Sequence, residues 1–121
     1  MFYELKDYEL DIVYSEEDEG YIATTLEIPS ISGIGKTPEE ALQELKTAFE
    51  LASEIYQEDN REMPEPLMKK KYSGQFTIRL PKDLHYELAK ASMIEQVSIN
   101  QITNYLLAKG IEGLYRKRTM R

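Results

Sequence analysis

The sequence predicts an α+β protein of element order β-β-β-α followed by β-α-α. Three observations support this prediction: apolar residues alternate with period two in the first 35 residues, helical stripes follow, and a Pro-rich segment divides the chain. A length of 121 residues fits one or two small domains. We expect a small antiparallel sheet with one packed helix at residues 1–58, a linker at 59–73, a strand-helix-helix domain at 74–113 and a basic tail at 114–121.

The three N-terminal strands are predicted from short alternating segments at residues 8–14, 21–28 and 31–35. The acidic turn Ser15–Gly20 joins the first two as a hairpin, and Pro29 ends the second. The residues expected to share one side of a strand are Tyr8, Leu10, Ile12 and Tyr14 in the first, and Ile22, Thr24, Leu26 and Ile28 in the second.

The first helix is predicted to begin at Thr37-Pro38-Glu39-Glu40. Thr37 can cap the helix, Pro38 suits its first position, and Glu40 completes a capping box. One apolar stripe at helical spacing follows, ready to cover the face of a small sheet. Its members are Leu42, Leu45, Ala48, Phe49, Ala52, Ile55 and Tyr56.

The net charge of −7 is the sum of the charges of two halves that have opposite signs. Residues 1–66 carry 18 Asp and Glu against 4 Lys and Arg, a balance of −14, whereas residues 67–121 carry 4 against 11, a balance of +7. A basic module can approach phosphate, while an acidic one is repelled by it and attracts basic proteins. The boundary falls at the polar segment Gln57–Pro66, which has the composition of a stiff linker.

The segment Gln75–Pro81 is the most informative part of the chain. Phe76, Ile78 and Leu80 alternate strictly with Gln75, Thr77 and Arg79, which predicts a half-buried strand. The polar set has the chemistry of base recognition, because Gln pairs with adenine, Arg pairs with guanine, and Thr can donate, accept or contact a thymine methyl. The alternative is an ordinary solvated strand face.

Two helices are predicted after Pro81. The first has its stripe at Leu84, Leu88, Ala91 and Ile94; the second is capped by Ser98, has its stripe at Ile99, Ile102, Leu106 and Leu107, and ends near Gly110. A unit of fewer than about forty residues rarely folds alone. We therefore expect pairing with a second copy, with Phe76, Ile78 and Leu80 in the shared core.

Several classes of function are disfavoured by composition. The chain has no Cys and one His, so a thiolate or His-rich metal site is excluded, and no cofactor is expected. Gly35-Lys36-Thr37 lacks the earlier Gly of a phosphate-binding loop, and Ser30 stands in its place. The acids Asp11, Glu16, Glu17, Asp18, Glu19 and Glu27 could suggest a metal-dependent nuclease, but a solvated hairpin tip is the simpler interpretation. We expect a cytoplasmic protein with no membrane segment and no enzymatic activity.

Residues 74–110 resemble a ribbon-helix-helix DNA-binding domain of the Arc and MetJ type, on the segments Gln75–Pro81 and Val97-Ser98-Ile99-Asn100. The resemblance implies that two strands from two chains pair antiparallel and enter the major groove. Gln75, Thr77 and Arg79 would then read the bases. Ser98, Ile99 and Asn100 would hold a backbone phosphate, which the free N–H groups and dipole of a helix start also favour. Lys71, in Lys69-Lys70-Lys71, is either a further phosphate contact or part of a solvated linker.

Residues 8–57 resemble the antitoxin domain of HicB-type proteins, which has a partial RNase H-like fold. The matching residues are Glu27-Ile28-Pro29, Ser32-Gly33-Ile34-Gly35 and Thr37-Pro38-Glu39-Glu40-Ala41-Leu42. The order of the two modules is also that of HicB antitoxins with a ribbon-helix-helix tail.

Together these resemblances imply a type II antitoxin. Its acidic domain would bind a small HicA-type ribonuclease toxin, and its homodimer would bind a two-fold symmetric operator and repress its own operon. Pairing of dimers into tetramers, the operator sequence and the sign of any coupling between toxin and DNA stay open. The alternative is a stand-alone ribbon-helix-helix transcription regulator whose N-terminal domain serves oligomerisation or another partner.

Overall fold

Three antiparallel strands and one long helix form the first part of the chain. In the computed structural model, which describes residues 2–119 and the side chains of residues 2–117, the strands are β1 (Leu10–Ser15), β2 (Gly20–Thr25) and β3 (Ser32–Gly35). The sheet order is β1-β2-β3, and α1 (Pro38–Glu58) follows. Two further helices, α2 (Lys82–Glu95) and α3 (Ile99–Thr119), come later, and short 3-10 turns lie at Leu5–Asp7 and Leu67–Lys69. The predicted α+β class is confirmed.

The chain divides into two compact units between Ser73 and Gly74. We call residues 2–73 the acidic unit and residues 74–119 the basic unit. None of the helices described here is long and apolar enough to cross a membrane.

The start of α1 follows from its sequence. The Glu40 N–H donates to Thr37 Oγ1 at 3.1 Å, and Glu40 Oε2 accepts from the Lys36 N–H at 2.8 Å. The predicted cap at Thr37 is therefore confirmed, although the carboxylate returns to the residue before the cap rather than to the cap itself. The first bond satisfies an N–H of the first helical turn that has no partner within the helix, and the second satisfies the N–H of the residue that precedes the cap.

Small residues let α1 lie directly against β2 and β3. Ala23, in the middle of β2, is fully buried, and a Cβ placed on Gly33 would overlap the Ala41 carbonyl oxygen and the Leu45 nitrogen of α1. The core built around this contact contains Tyr8, Ala23, Ile28, Ile31, Ala41, Leu45, Phe49 and Met63. The glycines of Ser32-Gly33-Ile34-Gly35 are therefore explained by helix packing.

One expectation for β2 was wrong. Ile22, Thr24, Leu26 and Ile28 were predicted to share a side, but β2 ends at Thr25. The alternation stops there, so that Leu26 is 64% exposed while Ile28 is buried at 2%. The Ile28 N–H donates to Thr25 Oγ1 at 3.1 Å, which turns the chain inward after the strand.

Part of the predicted linker packs onto the acidic unit. Met63 and Pro66 are buried, the Tyr8 hydroxyl donates to the Pro64 carbonyl oxygen at 2.8 Å, and the Leu67 N–H donates to Glu27 Oε2 at 2.9 Å. We call residues 63–67 the strap. The sequence pattern missed it because Pro residues form neither helix nor strand yet have apolar rings that can be buried.

The last helix is longer than predicted. It was expected to end near Gly110 and to give way to a basic tail at 114–121, but α3 continues to Thr119. Of the described glycines only Gly74 has a positive φ, so Gly110 adopts no left-handed helix cap. Glu112 lies 2.6 Å from Arg116, an i,i+4 pair that supports the added turns. Arg116 and Lys117 therefore lie on a helix, whereas Arg121 lies outside the described residues.

Candidate functional site

The segment 75–80 forms no strand within the single chain. It follows Gly74, whose φ of +84° is readily adopted by glycine, and it leads through Pro81 into α2. Phe76 is 80% exposed and Ile78 is 58% exposed, whereas Leu80 is half-buried. Gln75, Thr77 and Arg79 are exposed as well. A strand needs a hydrogen-bonded neighbour, so the alternating sequence has the pattern of a strand whose partner is another chain.

An open groove of about 840 Å³ borders this segment within the basic unit. Its apolar lining consists of Phe76, Ile78, Leu80, Leu84, Leu88, Leu106 and Leu107, and the polar residues Gln75, Thr77, Asn100, Thr103 and Asn104 line it as well. Among the described residues of the basic unit, Ile102 is the only hydrophobic side chain that is buried. The described part of the basic unit therefore exposes most of the apolar side chains that would form a hydrophobic core, and it does not bury them within one chain.

The turn between α2 and α3 is fixed by several hydrogen bonds. Gln96 adopts the left-handed conformation at φ 56° and ψ 42° and ends α2. The Val97 N–H donates to the Ser92 carbonyl oxygen at 3.1 Å, and the Ser92 hydroxyl donates to the Val97 carbonyl oxygen at 2.6 Å. These contacts set the direction in which α3 begins.

The start of α3 is a reciprocal capping box. Ser98 Oγ accepts from the Gln101 N–H at 3.0 Å, and Gln101 Oε1 accepts from the Ser98 N–H at 3.0 Å. Of the first four N–H groups, which a helix leaves without partners, those of Ile99 and Asn100 are therefore not used by the cap. Ser98 was predicted from the sequence and Gln101 was not, although the spacing Ser-x-x-Gln is the signal for this motif.

The predicted phosphate contacts fall in different units. Ser98, Ile99 and Asn100 lie together at the exposed start of α3 in the basic unit. Lys71 is exposed and belongs to the end of the acidic unit. The predicted base-reading residues belong with the first group, because Gln75, Thr77 and Arg79 share the basic unit with α3.

The acidic unit presents a different surface. The turn between β1 and β2 carries Glu16, Glu17, Asp18 and Glu19, all exposed, and Asp18 Oδ2 accepts from the Ser15 hydroxyl at 3.1 Å. Within residues 2–119 no three His, Asp or Glu side chains gather in a way that could hold a metal ion. The described hairpin tip therefore provides a concentration of negative charge on the acidic unit.

Glu27 has a structural role that the sequence pattern did not predict. Its carboxylate accepts from the Glu9 N–H at 3.2 Å and from the Leu67 N–H at 2.9 Å. It therefore joins the chain ahead of β1 to the strap. Buried Tyr8 lies next to this junction, and burial, followed by the nearby groups Tyr3, Glu27 and Asp7, raises the pKa of Tyr8 to about 12.

Comparison with known proteins identifies one similarity. Residues 56–107 match the model of the HicB family. The matched part starts near the end of α1, includes the strap, segment 75–80 and α2, and stops within α3. No curated protein matches the chain significantly. The match supports a HicB-type protein, and it lies mainly C-terminal to residues 8–57, where the sequence resemblance to the HicB antitoxin domain was found.

Proposed function

We propose that this chain is the antitoxin of a HicAB-type type II toxin–antitoxin system. In this proposal the basic unit dimerises and binds operator DNA, and the acidic unit neutralises a small ribonuclease toxin. The observation that carries the proposal is the incomplete basic unit, in which an open, largely apolar groove lies beside an alternating segment that pairs with no strand of the described residues. The HicB-family match over residues 56–107 includes that segment.

The dimer would complete the missing core. Two copies of 75–80 paired antiparallel would turn Phe76, Ile78 and Leu80 toward the helices of both chains, because side chains alternate across a strand. Burying Phe76 and Ile78 removes apolar surface from water, and each such side chain contributes about 1.5–3 kcal/mol when fully buried. Gln75, Thr77 and Arg79 would then all lie on the opposite face.

That opposite face is the proposed base-reading surface. A two-stranded ribbon fits the major groove, and Gln75, Thr77 and Arg79 carry donors and acceptors that can distinguish base pairs there. The N–H groups of Ile99 and Asn100, with the Ser98 hydroxyl, would bind a phosphate at each side, and Lys71 would add attraction that is independent of sequence. Two-fold symmetry of the dimer implies a two-fold symmetric operator.

The acidic unit would neutralise the toxin by occupying its RNA-binding face. Residues 1–73 carry 18 Asp and Glu against 7 Lys and Arg, a balance of −11. A protein that binds RNA presents positive charge, so an acidic partner can associate rapidly and exclude the RNA.

Two assays test the proposal. Full-length protein should elute as a dimer in light-scattering chromatography and should shift a DNA fragment from upstream of its own gene at concentrations that leave random DNA unbound. Co-expression should restore growth to cells in which the neighbouring reading frame is toxic. A monomer without DNA binding, or a neighbouring protein whose effect on growth is unchanged, would contradict the proposal.

One observation favours the second candidate, a stand-alone transcription regulator. The HicB-family match leaves residues 1–55 unmatched, and these make up most of the acidic unit. In that case DNA binding would persist while the growth assay would fail.

A further inference from the structure

β1 forms an exposed outer edge of the sheet in the acidic unit. β1 lies at one end of the sheet, and its first five residues, from Leu10 to Tyr14, are all exposed. Edge strands are usually protected by Lys, Pro, a bulge or a covering segment. β1 reads Leu-Asp-Ile-Val-Tyr-Ser, contains neither Lys nor Pro, and pairs with β2 in continuous register without a bulge.

The hydrogen bonds between β1 and β2 show which backbone groups of β1 point away from the sheet. The Leu26 N–H donates to the Glu9 carbonyl oxygen at 3.1 Å, so the odd-numbered residues of β1 bond to β2. The N–H and C=O groups of Leu10, Ile12 and Tyr14 therefore point away from the sheet. An added strand would find three donors and three acceptors there, spaced along five residues.

An apolar groove lies next to the same edge. It has a volume of about 730 Å³ and is lined in part by Leu5, Leu10, Leu42 and Phe49. Leu10 and Ile12 point to the side of the sheet that α1 covers over β2 and β3, yet they remain 39% and 37% exposed. A strand placed beside β1 could insert every second side chain into this groove. Such contacts of alternate side chains give strand addition its specificity.

The charged residues around β1 indicate which kind of strand can pair with its edge. The hairpin tip Glu16–Glu19 lies at one end of β1, and Glu9 and Asp11 lie at the other. The charged residues that line the groove are Glu4, Glu39 and Glu50 together with Lys6 and Lys46, so the excess of negative charge comes mainly from the two ends of the strand. Full antiparallel pairing with a second copy of β1 would set the tip of each hairpin beside Glu9 and Asp11 of the other. Like charges directly opposite destabilise a sheet, so the edge disfavours self-pairing and favours a cationic partner.

We propose that β1 is the docking edge for an extended, cationic segment of a partner protein, which joins the sheet as a fourth strand and places apolar side chains in the groove. This inference rests on the proposed function, because the partner would be the toxin neutralised by the acidic unit. It adds the surface and the mode of binding.

A pair of matched proline variants tests the proposal in the full-length protein. Ile12→Pro removes an outward N–H from β1, and Ile34→Pro removes an outward N–H from β3 at the opposite edge of the same sheet. The probe is the purified protein of the neighbouring reading frame, with affinity measured by calorimetry. Ile12→Pro should weaken binding about tenfold, as expected when one interfacial hydrogen bond is lost and its acceptor is left unpaired. Ile34→Pro should bind like the unchanged protein.

Amide hydrogen exchange of the unchanged protein provides a second measurement. The N–H groups of Leu10, Ile12 and Tyr14 should exchange rapidly in the free protein and slowly in the complex, while those of Asp11 and Val13 should be slow in both. The assignment of β1 as the docking edge is wrong if the partner binds without protecting the even-numbered amides, or if both proline variants weaken partner binding equally. The proposed function stands in either case. Loss of self-association alone in Ile12→Pro would show that a second copy occupies the edge. If the neighbouring protein does not bind the unchanged chain, the proposed neutralisation and this inference both fail.

Discussion

The hydroxyl of Tyr8 donates a 2.8 Å hydrogen bond to the carbonyl oxygen of Pro64. The two residues lie 56 positions apart in sequence, and their contact closes the strap over the core of the acidic unit. The ring of Tyr8 also meets Phe49 of α1 edge-on, with centroids 5.7 Å apart. One side chain therefore joins the chain ahead of β1, the helix and the strap.

Removal of this hydroxyl should destabilise the acidic unit. Tyr8→Phe keeps the ring packed but leaves the Pro64 carbonyl oxygen without its donor, and we expect a loss of about 1–3 kcal/mol in the free energy of unfolding. Urea unfolding followed by tyrosine fluorescence measures it. Tyr14→Phe is the control, because Tyr14 is 55% exposed, and it should change stability little. Equal effects of the two variants would contradict the structural role of the Tyr8 hydroxyl.

Stability should also fall at alkaline pH for a reason specific to Tyr8. Its pKa is raised to about 12, so the folded protein retains a proton that the unfolded chain releases near pH 10. This contribution is fully present below pH 10 and is lost as pH rises toward 12. Unfolding titrations at several pH values should show a smaller alkaline decline in Tyr8→Phe than in the unchanged protein. Identical declines would show that Tyr8 is not responsible.

Phe76→Ala should both dissociate the dimer and unfold the basic unit. Phe76 is 80% exposed in the single chain and lines the open groove, so its loss matters only if a second chain covers it. Light scattering and circular dichroism measure the two effects. Met93→Ala is a matched control, because Met93 is 81% exposed on α2 but does not line that groove. A folded monomeric Phe76→Ala protein would disprove the shared core.

Arg79→Ala and Lys71→Ala should weaken DNA binding in different ways. Loss of a bidentate contact at Arg79 should cost about 1–3 kcal/mol and relax the preference at one base pair per half-site. Lys71→Ala should weaken all sequences about equally and make the salt dependence shallower. Titrations of operator and random DNA at several salt concentrations separate the two effects. Equal loss on both DNAs for Arg79→Ala would refute base reading.

Two glycine-to-alanine substitutions should change the stability of the protein in opposite directions. Gly33→Ala puts a Cβ against backbone atoms of α1 that cannot move aside, so the sheet and helix must separate and the acidic unit should lose several kcal/mol or fail to fold. Gly110→Ala meets open space inside α3 and should stabilise that helix by about 0.5–1 kcal/mol. Thermal unfolding by circular dichroism measures both. Tolerance of alanine at position 33 would mean that α1 does not lie so close to β3.

The sequence predicted the elements well where local signals decide them. Thr37-Pro38-Glu39-Glu40 fixed the start of α1, and Ser98 fixed the start of α3, because capping depends on residues a few positions apart. The strap and the role of Glu27 escaped prediction because they depend on contacts about 40 to 56 residues apart in sequence. The end of α3 was missed because Gly110 suggests a helix cap, whereas flanking helix-forming residues and the Glu112–Arg116 pair carry the helix onward. The base-reading and phosphate-binding residues stay predictions, because they concern molecules outside the chain.

Because the strap covers part of the core, the lifetime of the acidic unit depends on residues that lie C-terminal to α1. Asn60, Arg61 and Glu62 are exposed between α1 and the buried Met63, and such a stretch is accessible to a protease. One cleavage there would divide the acidic unit and leave Met63 and Pro66, which help to cover its core, on the fragment that carries the basic unit. A fragment ending at residue 58 should therefore degrade quickly, whereas one that extends through Lys69 should persist.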